Sequence, residues 1–249
     1  MFDYISVTQI KMYLRCPAQY YFRYVLGLKV PPAGALVLGR AVHAGLEHYF
    51  AGKLHTGEGP PVNRVLDVFD AAFEAERPEA DWGEDDPGRA KDDGAALLRL
   101  HHAEVGPRLV PAAVERRVEV PLPGVGVPLL GFIDLETADG LIVDHKTVSR
   151  TPPEEKAQGD LQLSAYALAY RYAHGKLPAG VRLDFLVRNK TPKIVTRAAS
   201  RAEADLERFK RLAARVAAAI RAGIYYPNPD NFMCSPVGCG YWEECHREF

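Results

Sequence analysis

The 249-residue chain lacks several features that assign a protein at once to a large class. No apolar run approaches the roughly 20 residues that a membrane-spanning helix needs. A glycine-rich Walker loop and a dinucleotide-binding fingerprint are both missing, which argues against hydrolysis of nucleoside triphosphates. No internal repeat is present. The composition instead fits an ordinary globular protein, because 47% of the residues are apolar and can form a sizeable core.

The chain also has few cysteines and almost no net charge. The first residues, Met-Phe-Asp-Tyr-Ile-Ser, contain neither a basic segment nor an apolar signal core, so we expect a cytoplasmic protein rather than a secreted one. The four cysteines are then expected to be free of disulfides. A net charge of −1 neither requires nor excludes a nucleic-acid partner.

The most informative segment covers residues 131–146. Two apolar runs flank the dipeptide Asp139–Gly140, a strong signal for a β-hairpin turn. Such a hairpin brings Asp134 and Asp144 together, and Lys146 lies on the same face of its strand as Asp144. Two carboxylates beside an ammonium group suit a hard cation bound to a phosphate. Charges at the end of an apolar strand need partners or a role, which favours this hypothesis over a solvated surface hairpin.

The rest of the chain predicts an α/β (α+β) fold with a mixed central sheet, flanking helices and a helical N-terminal segment. Ser6 and Gln9 form a capping-box pattern that begins the first helix. Residues 77–94 are predicted to be a polar loop. Further helices are predicted at residues 39–50, 64–76, 95–105, 157–173 and 201–222, and strands at 114–120, 127–136, 140–146, 183–187 and 194–196.

Basic residues dominate the segment from Arg182 to Arg201. This segment also contains Arg188, Lys190, Lys193 and Arg197, against the single acid Asp184. Contact with DNA and an ordinary solvated hairpin face explain such a pattern about equally well.

With these elements placed, the chain resembles the PD-(D/E)XK nuclease superfamily, and within it the RecB-like exonucleases, over nearly its whole length. Five short motifs occur in the family's order. They are Ser6-x-Thr8 leading to Cys16-Pro17-x-x-Tyr20, Gly39-Arg40-Ala41-Val42-His43, Gly131-Phe132-Ile133-Asp134, Asp144-His145-Lys146 and Gln162-x-x-x-Tyr166. The resemblance implies a restriction-endonuclease-like sheet in a single domain, residues 1–249.

The resemblance also implies roles for individual residues. His43, Asp134, Asp144 and the backbone carbonyl of His145 would bind Mg²⁺ or Mn²⁺. Catalysis would depend on Lys146 as well as on the two aspartates, and Gln162 and Tyr166 would line the site and contact nucleic acid. Without the resemblance, Tyr166 reads as a core aromatic residue. Glu47 lies one helical turn after His43 and either orients it or is a surface acid.

The four cysteines, Cys16, Cys234, Cys239 and Cys245, lie near the two ends of the chain. Four thiolates that converge from residues 1–30 and 224–249 would suit a 4Fe-4S cluster or a structural zinc ion. The RecB-like nucleases of CRISPR-associated and helicase-partner types, which the chain resembles, have an iron–sulfur cluster in this arrangement, usually with two and then five residues between the last three cysteines. This chain has four and then five, so its cluster geometry would differ.

These inferences predict a metal-dependent DNA nuclease, an exonuclease on single-stranded DNA or DNA ends, active in DNA repair, recombination or CRISPR adaptation. Helicase motifs are absent, so unwinding would require a partner, either a helicase or the CRISPR integration proteins. The alternatives are a non-catalytic DNA-binding scaffold subunit, an enzyme on another phosphate substrate, and the same nuclease with structural zinc.

Overall fold

A five-stranded mixed sheet flanked by helices is the framework of the fold, which confirms the predicted fold class; the computed structural model describes residues 2–249. The strands follow one another across the sheet in chain order. Neighbours β2–β3 and β4–β5 are antiparallel, and β3–β4 is parallel. The strands are β1 (Pro111–Val120), β2 (Leu129–Thr137), β3 (Leu141–Val148), β4 (Gly180–Val187) and β5 (Lys193–Ala199).

Eight α-helices accompany the sheet in the described part of the chain. They are α1 (Val7–Arg15), α2 (Pro17–Tyr20), α3 (Gly34–Thr56), α4 (Val62–Glu76), α5 (Pro87–Glu104), α6 (Leu161–His174), α7 (Glu203–Arg221) and α8 (Trp242–Glu248). The predicted capping box at Ser6 and Gln9 is confirmed, because each side chain hydrogen-bonds the other residue's backbone amide. None of the helices among residues 2–249 is long and apolar enough to span a membrane.

The chain contacts divide the protein into two compact units. The first comprises residues 1–31, 118–131 and 203–249, and the second comprises residues 32–117 and 132–202. In the first unit α1 packs on α7, and the Tyr13 hydroxyl donates a 2.7 Å hydrogen bond to the carbonyl of Ile224. In the second unit α3 packs on α4 and α5, and all three helices contribute to one apolar core.

That core fixes the position of α3. Val42, Leu46 and Phe50 recur along one face of the helix and are at most 3% exposed. They lie in the same buried cluster as Leu135 of β2 and Val143 of β3. Burying a side chain of this size stabilises the fold by roughly 1.5–3 kcal/mol. The packing therefore holds α3 against the two strands that carry Asp134 and Asp144.

One predicted loop is partly wrong. Residues 77–94 contain many acids, glycines and prolines, yet helix α5 already begins at Pro87. The Asp86 side chain accepts a 2.6 Å hydrogen bond from the Arg89 amide, and proline suits the first helical position because its missing N–H would have no helical partner. These local helix-start signals outweigh the loop-like composition.

Candidate metal centre

The predicted hairpin brings Asp134 and Asp144 together. Strands β2 and β3 pair antiparallel with Leu135 opposite Val143, a register that places the two aspartates opposite each other. One Asp134 oxygen, Oδ2, accepts a 2.8 Å hydrogen bond from the backbone amide of His145. Although burial opposes ionisation of Asp134, its bond to His145 and the nearby His43 and Lys146 hold its pKa at about 2. Asp134 is therefore a fixed negative charge.

Lys146 forms an ion pair with the fully buried Asp144. Its Nζ lies 3.0 Å from Oδ1 and 2.8 Å from Oδ2, but Oδ2 makes no well-aligned hydrogen bond. Burial raises the pKa of Asp144 against the opposing effect of Lys146, and the charge of Asp134 raises it further. The Lys146 side chain is 34% exposed, so its ammonium can also reach a molecule outside the protein.

His43 of α3 lies beside the same two strands. Its Nε2 lies 2.7 Å from the carbonyl oxygen of His145, and its Nδ1 lies 3.4 Å from Oδ2 of Asp134. Burial is the main cause that lowers the pKa of His43, which favours the neutral ring. If Nε2 donates to the carbonyl, Nδ1 presents a lone pair to a carboxylate oxygen. Two such electron-rich atoms face each other favourably only with a cation between them, so the donor set fits a divalent metal ion.

Glu115 of β1 joins this group, although the sequence had not singled it out. One oxygen of Glu115 lies within 4.8 Å of ligand atoms on both His43 and Asp134. Its φ of 44° is the only positive value at a non-glycine position among residues 2–249. Burial, followed by the charges of Asp134 and Glu47, raises the pKa of Glu115 to about 7. The sequence does contain one sign of this irregularity. Glu115-Arg116-Arg117 are three charged residues in succession, which interrupts the alternation of apolar and charged residues expected of a strand.

Gln162 and Tyr166 form a hydrogen-bonded pair on α6. The Gln162 side-chain amide donates a 2.8 Å bond to the Tyr166 hydroxyl, one turn along the helix. Burial raises the pKa of Tyr166, and the charges of Asp144 and Asp134 raise it further. The charges of Asp144 and Asp134 therefore act on Tyr166, and its hydroxyl stays neutral.

A search with protein-family models gives the family. The model described as the PD-(D/E)XK nuclease superfamily matches residues 4–246. The chain belongs to the PD-(D/E)XK nuclease superfamily. Membership implies a nuclease hydrolase and a general use of divalent metal ions such as Mg²⁺, in keeping with the acidic cluster around Asp134.

One solved structure supports the fold. A crystal structure described as a candidate exonuclease from Eubacterium rectale aligns with 99% of this chain and 88% of its own, at 14% identity and a TM-score of 0.66. The structure of SSO0001 aligns with 100% of this chain and 88% of its own, but 10% identity and a TM-score of 0.47 are too low to argue from. No curated protein matches the chain at a significant level.

This nuclease contains a second group of possible ligands, deeper in the core. His101, His145 and Asp184 are at most 1% exposed and have ligand atoms within 4.8 Å of one another. The Asp184 carboxylate, however, already accepts bonds from the guanidinium of Arg182 and the hydroxyl of Thr196. That ion pair neutralises its charge, so the divalent ion is better assigned to the group around Asp134. The His145 imidazole stacks on Phe50 and helps to anchor β3.

Most arginines of the basic segment, residues 182–201, bind acceptors within the protein itself. Arg182 binds Asp184, Arg188 binds Asp85 and Arg197 binds the carbonyls of Pro152 and Pro153. Arg201 is only 6% exposed, and Lys190 and Lys193 are exposed. Neither a solvated outer face nor a shared DNA-contact surface therefore describes these arginines as a set.

The four cysteines of the nuclease line one cavity in the first unit. Burial raises the pKa of the Cys245 thiol, and Cys16, Cys239 and Cys234 raise it further. Gln19 donates a 3.3 Å hydrogen bond to the sulfur of Cys239. No three of these sulfurs lie within 4.8 Å of one another, whereas one tetrahedral zinc ion would place them about 3.8 Å apart. The predicted iron–sulfur cluster is not confirmed, because the four sulfurs do not form a compact group of ligands.

Proposed function

We propose that this protein is a metal-dependent deoxyribonuclease of the RecB-like type, an exonuclease that hydrolyses phosphodiester bonds in single-stranded DNA or at DNA ends. The observation that carries the proposal is the meeting of Asp134, Asp144 and Lys146 beside His43. A scaffold subunit that only binds DNA could lose these groups freely, so their joint presence favours catalysis.

Each residue has a distinct proposed role. His43, Asp134, Asp144, the His145 carbonyl and the newly found Glu115 would hold one or two Mg²⁺ or Mn²⁺ ions. A bound ion of this kind lowers the pKa of a water molecule and neutralises charge on the phosphate. Lys146 stabilises the added negative charge of the scissile phosphate and orients the attacking water. Gln162 and Tyr166 contact the nucleic acid and keep it in line with the lysine.

The proposal extends to the four cysteines, to the protein's location in the cell and to the source of its substrate. Cys16, Cys234, Cys239 and Cys245 bind a 4Fe-4S cluster that joins residues 1–30 to residues 224–249 in a single nuclease domain. Reduced thiols of this kind are typical of the cytoplasm, where we place the protein. Its substrate would come from DNA repair, recombination or CRISPR adaptation, with a helicase or the CRISPR integration proteins as partners.

The acidic residue found only in the structure gives a sharp test of the ligand set. We expect Glu115→Gln to weaken Mn²⁺ binding at least about tenfold, because a neutral amide replaces a carboxylate oxygen among the ligand atoms. Glu47→Gln is the matched control. Glu47 lines one pocket together with His43, Glu115 and Asp134, but it is absent from the ligand group. Its variant should therefore bind Mn²⁺ within about threefold of the wild type. Calorimetry measures both; equal affinities in the two variants would exclude Glu115 as a ligand.

Binding of Mn²⁺ should strengthen as the pH rises toward about 7. The raised pKa values of Asp144 and Glu115 mean that both carboxyls hold protons below that pH, and these protons must leave before a cation binds. Each released proton contributes up to about tenfold in affinity per pH unit, and the gain should level off above about pH 7.

The contribution of Glu115 to the stability of the metal-free protein should change in the opposite direction. Between pH 4.5 and about 7, Glu115 is ionised in the unfolded chain but protonated in the folded protein, so this residue makes folding less favourable as the pH rises. His43 and His101 act in the opposite sense, because burial lowers their pKa values. Calorimetric titrations across this range check the first trend, and thermal unfolding of the metal-free wild type against metal-free Glu115→Gln isolates the second. A pH-independent Mn²⁺ affinity would contradict the assignment.

A further inference from the structure

Arg201 is a buried cation outside the metal centre. It follows strand β5 and is 6% exposed. A buried guanidinium is costly unless its N–H groups find acceptors. Nη2 donates to the carbonyls of Ala157 (2.7 Å) and Asp160 (3.1 Å), Nε donates to Oγ of Ser164 (2.9 Å), and Nη1 donates to the carbonyl of Ser200 (2.9 Å).

Three of these four bonds fix the beginning of α6. Asp160 is the N-cap of the helix, and its side chain accepts bonds from the amides of Gln162 and Leu163. Its carbonyl also accepts the amide of Ser164. Arg201 thus contacts the last turn before the helix, the cap residue and the first helical turn at once. A rotation or shift of α6 would have to break several of these bonds together.

The placement is electrostatically unusual. The N-terminus of a helix carries partial positive charge and normally attracts acids rather than an arginine. The Asp160 carboxylate at the cap offsets this, and it also contributes to the raised pKa of Lys146. The geometry of the guanidinium explains this placement, since its planar fork reaches three acceptors at the helix start at once, which a flexible ammonium group could not do.

We propose that Arg201 is a positioning residue for DNA cleavage: it fixes the start of α6 so that Gln162 and Tyr166 face the substrate beside Lys146. The inference rests on the proposed nuclease function. The bonds from Arg201 to Ala157, Asp160 and Ser164 all lie at the start of α6, so we expect its effect on cleavage to pass through this helix.

Arg201→Lys tests the inference, with Arg197→Lys as the matched control. Arg197 lies four residues earlier and also binds carbonyl oxygens, but those of Pro152 and Pro153 rather than of α6. We expect Arg201→Lys to lower kcat about 10- to 100-fold with Mn²⁺ affinity unchanged, because small misplacements of substrate-contacting groups slow the reaction strongly. Arg197→Lys should stay within about threefold of the wild type.

Two additional measurements keep the test decisive. Guanidinium ion at a low, non-denaturing concentration should restore part of the lost kcat in Arg201→Ala. Hydrogen exchange should become faster at the amides of Leu163 and Ser164 in Arg201→Lys but not in Arg197→Lys. A wild-type kcat in Arg201→Lys, or an equal loss of kcat and Mn²⁺ affinity, would overturn the inference. If the wild-type protein does not cleave DNA, the proposed function fails, and the exchange rates alone decide whether Arg201 holds α6.

Discussion

Replacement of Lys146 by methionine is expected to slow DNA cleavage about 10²- to 10³-fold, the usual cost of removing one group that stabilises charge in the transition state. The Lys146 ammonium is paired with Asp144, and about one-third of its side chain is still exposed. Asp144→Asn should be more severe, at roughly 10³-fold or more, because a ligand oxygen and a charge are lost together.

Lys91→Met is the matched control for the lysine. Lys91 is also paired with carboxylates, those of Asp70 and Glu74, but on the helical surface. Such an exposed pair contributes at most about 1 kcal/mol to stability, and its loss should leave cleavage unchanged. Single-turnover rates with saturating Mn²⁺ separate the chemical step from metal binding. Wild-type rates in Lys146→Met would remove the residue from the catalytic set.

The second large effect concerns the cysteines. We expect anaerobically purified protein to be brown, and Cys16→Ala or Cys245→Ala to lose the colour and the iron together. Because metal-binding energy of this kind becomes folding energy, either variant should lose several kcal/mol of stability or more, about the loss typical of a structural metal. Val237→Ala, a substitution at a fully exposed position between Cys234 and Cys239, should keep both colour and stability.

Metal analysis and thermal unfolding distinguish an iron–sulfur cluster, a zinc ion and no metal in the cavity lined by the four cysteines. A colourless protein with one equivalent of zinc would refute the iron–sulfur cluster and leave a structural metal. Four titratable thiols and no bound metal would refute both. Cleavage should weaken only indirectly in the cysteine variants, because the cysteines and the residues of the metal centre lie in different units.

The hairpin shows why part of the site could be predicted from the sequence. Asp139–Gly140 determines the turn, the turn determines the register of β2 and β3, and the register places Asp134 opposite Asp144. His43 was different, since a single histidine on a helix gives no local sign of its partners. Only the family resemblance selected it, and the structure then placed its ring beside Asp134 and the His145 carbonyl.

Other features depend on tertiary contacts that no local pattern contains. Glu115 joins the acidic group around Asp134 through an irregular backbone in β1, and periodicity describes only regular strands. The arginines from Arg182 to Arg201 looked alike in sequence, yet each found a different internal acceptor when the strands and loops packed. A count of charges could not reveal this, because it carries no information on which acceptors lie nearby.

Cleavage of end-labelled DNA is the most direct test of the central claim. Single-stranded and double-stranded substrates, each labelled at one end, are incubated with wild-type protein and with Lys146→Met in Mg²⁺, in Mn²⁺ and in excess chelator. We predict that the wild type degrades the DNA from an end only when a divalent ion is present, and that the variant does so at least about 100-fold more slowly. Equal cleavage by the two proteins, cleavage in excess chelator, or no cleavage by the wild type on any substrate would contradict the assignment of a metal-dependent nuclease centre at Asp134, Asp144 and Lys146.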